Sequence, residues 1–177
     1  MPRIPYLPHN VSEPGELVES IRARRGGSLL NLDRMLLHSP PFASGWNTFL
    51  REVRTNLDVS PKLRELAICG VAVLNGADYE FGQHAPEFLK SGGTPAQVEA
   101  LLLLGTPGLD CSLFNAAEQA IMQLTVEMTR SVHVSDETFA AARAALLNER
   151  QMVEIVGVIA TYNMVSRFLV ALGIEPE

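Results

Sequence analysis

The sequence predicts an all-α fold. Apolar residues recur at spacings of three and four, and nothing alternates with period two over a strand's length. Ser, Thr or Asn stands at the head of several of these runs, often before Pro or an acidic residue. Gly or Asn closes them. The spacing predicts eight or nine helices joined by connections of a few residues, in a single domain over residues 1–177.

Residues 1–11 hold three prolines and read as an extended arm. Ser12 is the predicted N-cap of a first helix that has Pro14, Glu16 and Glu19 near its start, reaches Arg25 and stops at Gly26-Gly27. A short helix over about 29–37 ends at His38-Ser39-Pro40-Pro41. A third, about 42–57, places Trp46, Phe49, Leu50 and Val53 on one face. Ser60-Pro61 opens the clearest helix, 61–74, closed by Asn75-Gly76, with a predicted apolar face of Leu63, Leu66, Ala67, Gly70, Val71 and Leu74. Helices over about 78–90, 96–104, 115–130, 136–147 and 149–172 follow, with Gly173 and Pro176 ending the last.

Composition narrows the function. Apolar residues make up 47% of 177, enough for a sizeable core. Fourteen bases against twenty acids give a net charge of −6, with no basic stripe, which argues against nucleic acid as a partner. Cys69 and Cys111 form neither a Cys-x-x-Cys nor a zinc-type spacing. The proline-rich start does not read as a secretory signal, and the longest uninterrupted apolar run, 100–104, is far shorter than a membrane span. The expectation is a cytoplasmic protein with reduced thiols and no membrane partner.

Three polar residues stand out around the helix pair 61–90. Glu65 lies among Leu66, Ala67 and Ile68, while Glu80 and His84, four apart, share one face of the next helix. The connection at Asn75-Gly76-Ala77 is short enough to fold the two helices together. A solvated Glu or a surface Glu80–His84 pair is the plain alternative for each. Pro86, two residues after His84, removes a backbone bond to Gly82 and predicts a loosened turn beside the imidazole.

The stretch Leu63-Arg64-Glu65-Leu66-Ala67-Ile68, then Asn75-Gly76-Ala77-Asp78-Tyr79-Glu80-Phe81-Gly82-Gln83-His84, then Gly93-Thr94-Pro95-Ala96-Gln97-Val98-Glu99-Ala100-Leu101, resembles the carboxymuconolactone decarboxylase family. That family also contains the alkyl hydroperoxidase D type proteins. The resemblance is strongest over about 45–105, with Tyr162-Asn163-Met164-Val165-Ser166-Arg167 as a looser closing segment. It implies an alkyl hydroperoxidase D-like helical fold that assembles into homo-oligomers, a trimer or a hexamer. Surplus apolar faces over 96–104 and 152–170 agree with assembly.

In the hydroperoxidase branch the Glu is followed by a Cys pair and then a His. Counted from Glu65, those thiol positions fall on Ala77 and Glu80, and the His falls on His84. A dithiol peroxidase needs one thiolate to attack and a second thiol to resolve the sulfenic acid. Ala77 and Glu80 supply neither, so the resemblance implies the decarboxylase branch, whose Glu-x-x-x-His is matched by Glu80 and His84.

The expected activity is therefore cofactor-independent acid–base chemistry on a small carboxylic acid or lactone, by decarboxylation or a related proton transfer. His84 is the natural proton carrier, because the ordinary imidazole pKa of about 6.5 lies near working pH. Glu65 or Glu80 fixes its tautomer, and the other carboxyl serves as acid. Tyr79, Trp46 and Tyr162 are the expected substrate-lining aromatics. Cys69 reads as a buried thiol, and His38 as a partner for the end of its own helix. Three rival readings are a divalent-metal site built from Glu65, Glu80 and His84, a thiol-independent remnant of a hydroperoxidase, and a non-catalytic binding or assembly module.

Overall fold

Helix-start chemistry operates at most of the predicted positions. The computed structural model describes all of residues 1–177, and it contains nine α-helices and one 3-10 turn. These are α1 (Gly15–Arg24), α2 (Asn31–Leu36), α3 (Pro40–Thr55), α4 (Pro61–Leu74), α5 (Asp78–Lys90), α6 (Pro95–Leu101), the 3-10 turn (Cys111–Leu113), α7 (Ala116–Arg130), α8 (Asp136–Ala144) and α9 (Glu149–Leu172). The chain forms two units, Met1–Leu57 with Ala171–Glu177, and Asp58–Val170.

In the first unit Ser12 does not cap α1. The helix starts at Gly15 behind Pro14, whose fixed φ of −70° suits a helix entrance, and Glu13 Oε2 accepts the Gly15 amide at 3.1 Å. Asp33 is buried beside Arg24 and Arg25, at 3.5 and 3.0 Å, and also accepts the Leu30 amide at the head of α2. The extended arm is tied down by backbone acceptors. Arg34 Nε donates to the Leu7 carbonyl, Arg22 to those of His9 and Val11, and the Arg3 amide to Leu172. His38 does not partner its own helix; its Nε2 lies 2.8 Å from the Pro5 carbonyl of the arm.

In the second unit α4 is the element around which the others pack, with α5, α6 and α7 all against it. Ser60 Oγ accepts the Leu63 amide, and Pro61 occupies the first turn, where its missing N–H costs nothing. The predicted single apolar face is too narrow. Every residue from Glu65 to Ala72 is buried, Ile68 and Cys69 included, because neighbours cover α4 on several sides. Gly70 permits the closest approach: a Cβ there would sit 2.9 Å from Leu104 Cδ2 and 3.2 Å from Thr125 Cγ2.

Capping boxes start α6 (Thr94 with Gln97) and α7 (Asn115 with Glu118), and Ser135 caps α8. α6 and α8 end earlier than predicted, at Leu101 and Ala144, and continue only as turns. α5 runs unbroken through Pro86 and reverses at Gly93, whose amide donates to Phe88 at 2.9 Å. A Cβ on Gly93 would lie 2.5–2.8 Å from the Phe88 ring, which is fully buried in the core with Leu66, Leu101 and Leu104. Gly93→Ala is therefore expected to destabilise the protein by about 1–3 kcal/mol, read as a lower urea midpoint at unchanged slope.

α9 corrects the reading of apolar content from uninterrupted runs. An 18-residue window within it averages 1.7 in hydropathy, long and apolar enough by composition to cross a membrane, and half of that window is buried inside the protein. Its apolar residues follow a helical period and are interrupted by polar ones, so no contiguous run shows them. Those polar residues bond within the second unit: Asn163 joins Asn75 and Thr129, Gln151 joins Asp58, and Glu154 accepts the amides of Asp58 and Val59. Glu154 and Arg167 serve separate partners, Arg167 donating to Asn163.

Candidate active site

Folding α5 back along α4 brings Glu65 and His84 into contact. His84 Nδ1 lies 2.7 Å from Glu65 Oε2 with both side chains buried, Glu65 at 5% and His84 at 7% exposure. The other oxygen, Glu65 Oε1, accepts from Arg64 Nε at 3.1 Å. Burial alone pushes the Glu65 carboxyl up, but the hydrogen bond from His84, the charges of His84 and Arg64, and the Arg64 hydrogen bond together hold it below the ordinary range. Glu65 is thus an ionised acceptor, so Nδ1 of His84 carries a proton. Nε2 then bears the lone pair in the neutral ring and a second proton in the imidazolium. The Tyr162 ring stands edge-on to the imidazole, centroids 5.0 Å apart at 85°.

Glu80 lies one turn before His84 on α5 and is 2% exposed. Its Oε1 is 2.8 Å from Ser166 Oγ of α9, and Ser166 is also 2.7 Å from the Tyr162 carbonyl. One hydroxyl proton serves one of these acceptors at a time. Of the expected residues, Glu65, His84 and Tyr162 are in direct contact, and Glu80 joins through the shared helix turn and through Ser166. Tyr79 is buried on α5 beside Glu80. Trp46 is placed in the first unit, on α3, edge-on to Phe42 at 5.7 Å.

Ser166 and Arg64 are the residues that sequence reasoning left without a role. Ser166 stands between Val165 and Arg167 on α9, and Arg64 precedes the anchoring Glu; neither position signals which group it will meet. No group of three or more His, Cys, Asp or Glu side chains is arranged to hold a metal ion. Glu65 turns to His84 and Arg64, and Glu80 to Ser166.

Cys69 is fully buried. Burial first, then the carboxylates of Glu65 and Glu80, push its thiol far above the ordinary range, so it stays protonated. Cys111 is exposed. Ellman's reagent is expected to titrate Cys111 alone in native protein and Cys69 only after unfolding. Rapid native reaction of both would show Cys69 to be accessible.

The all-helical domain has an alkyl hydroperoxidase D-like fold, and within it a buried Glu–His pair joins α4 and α5. Residues 40–125 match the model of the carboxymuconolactone decarboxylase family. Three solved structures share the fold. An uncharacterized peroxidase-related protein from Silicibacter sp. TM1040 superposes with a TM-score of 0.79 at 17% identity, covering 99% of this chain and 90% of that one. A second peroxidase-related protein, an alkylhydroperoxidase AhpD core from Ralstonia eutropha, gives 0.82 at 15%, covering 99% and 92%. The debrominase Bmp8, in a variant bound to 2,3,4-tribromopyrrole, gives 0.80 at 18%, covering 100% and 94%. No curated protein matches the sequence.

Proposed function

We propose that this protein is an acid–base enzyme that moves a proton to or from carbon on a small carboxylic acid or lactone, in a decarboxylation or a related enolisation. The observation that carries this is the 2.7 Å contact between His84 Nδ1 and Glu65 Oε2 in a buried setting. It fixes one ring nitrogen as donor to a carboxylate, and the imidazole is the group assigned here to exchange protons with a ligand. Loss of CO2, or removal of a proton beside a carbonyl, leaves an enolate that must be stabilised and then protonated on carbon. In this reading His84 Nε2 delivers or takes that proton, and Glu65 holds the ring and steadies the imidazolium. Glu80, kept in place by Ser166, is the second acid–base group.

The match to the carboxymuconolactone decarboxylase family model supports decarboxylase-type chemistry, and the debrominase neighbour shows that a protein of this fold takes a small ring compound. Thiol peroxidase chemistry lacks its pair of reactive sulfurs, since Ala77 and Glu80 stand at those positions and Cys69 is a buried neutral thiol. Exposed Leu102, Leu103 and Val153 support assembly into a homo-oligomer, a trimer or a hexamer.

The test is solvent-deuterium incorporation into a panel of β-keto acids, lactones and enolisable acids, followed by NMR together with CO2 release. Catalysed exchange or decarboxylation of at least one compound is expected. No catalysis across the panel would overturn the reading in favour of a binding or assembly module on the same fold.

A further inference from the structure

Arg64 donates to Glu65 through Nε, and its side chain is partly exposed at the surface beside Glu65. A cleft of about 390 Å³ opens there, lined by Ser60, Pro61, Lys62, Arg64 and Glu65 at the start of α4 and by Glu87, Lys90 and Ser91 at the end of α5. Three cationic side chains and two carboxylates, Glu65 and Glu87, line it on a protein whose net charge is −6.

The protein uses these cations unequally. Lys62 is held from behind by buried Glu118 at 2.6 Å. Lys90 pairs with Glu87 at 2.7 Å, but both are largely in water, at 71% and 50% exposure, where such a pair contributes little and yields readily to a competing anion. Arg64 is 15% exposed and immobilised by Glu65, so its remaining donors are ordered before any ligand arrives. The first turn of α4 adds to this. Ser60 Oγ accepts the Leu63 amide and Pro61 has none, which leaves the Lys62 amide as an open donor at the positive end of the helix. An ordered guanidinium fork, two ammonium groups and a helix-end amide around one opening match an oxyanion.

We propose that this cleft binds a small oxyanion, a carboxylate or a phosphate group, with Arg64 as the ordered donor, Lys90 released from Glu87 to close over it, and Lys62 as fixed positive charge. The proposal stands apart from the assignment of the reaction, because binding is measured without turnover.

The experiment is isothermal titration calorimetry of the full chain with sodium phosphate and with sodium succinate, against sodium chloride at equal ionic strength. Thermal unfolding in the same solutions accompanies it. Saturable binding of at least one oxyanion is expected, with the midpoint rising by mass action. The oxyanion that binds identifies the source of the ligand. Lys90→Gln, at an exposed position, is expected to weaken binding about threefold. Glu87→Gln, which removes the competitor, should tighten it by a similar factor, and Arg64→Gln with Lys90→Gln should weaken it about tenfold or more. Binding no stronger than chloride, or identical in wild type, Lys90→Gln and Glu87→Gln, would overturn the proposal.

Discussion

His84→Gln is expected to slow catalysed proton exchange by about 10²–10⁴-fold while leaving the protein folded. The size follows from what the substitution keeps and what it removes. A glutamine amide still offers an N–H to Glu65 Oε2, so the buried carboxylate keeps a donor in place of the 2.7 Å bond from Nδ1. The amide has no nitrogen that takes up and returns a proton near neutral pH, so general acid–base catalysis is lost with the imidazole. Deuterium incorporation into whichever compound the wild-type protein turns over measures the effect, with circular dichroism confirming the helices. Wild-type turnover in a folded His84→Gln protein would remove His84 from the mechanism.

Glu65→Ala is expected to cost about 3 kcal/mol of stability at pH 7, measured by urea unfolding. The loss exceeds one ordinary hydrogen bond because two donors, His84 Nδ1 and Arg64 Nε, lose their acceptor in a buried place together. The dependence on pH has a definite sign. In the folded protein the Glu65 carboxyl lies below its ordinary value of 4.5. Its ionised form therefore contributes fully above that value, and the contribution is lost as pH falls through the lower folded one. The gap in stability between wild type and Glu65→Ala should narrow as pH falls below 4.5. A gap unchanged at strongly acidic pH would mean that the charge of Glu65 contributes nothing.

Helix identity was readable where local chemistry decides it. Ser60-Pro61, Thr94 with Gln97, Asn115 with Glu118, and Ser135 mark starts that depend on residues within one turn. Ser12 misled because a cap is chosen among neighbouring candidates by the path of the preceding chain, and here the helix enters at Gly15 behind Pro14. The burial of α4 on several sides was beyond the sequence. An apolar face shows where one neighbour lies, not how many pack around it.

By itself, the sequence determined the helical class, most helix boundaries, the absence of a reactive thiol pair, and the candidates Glu65, Glu80 and His84. These follow from residue types and short spacings along one chain segment. Only the tertiary structure decided which carboxylate holds the imidazole. Spacing alone favours Glu80, four residues away on the same helix, yet Glu65, nineteen residues away, makes the bond. The physical reason is that α5 packs back on α4 so that the buried imidazole meets the Glu65 carboxylate, which Arg64 helps to keep charged, while Glu80 meets Ser166 from α9. Hydrogen-bond partners across helices are set by packing and burial, which act between segments far apart in sequence.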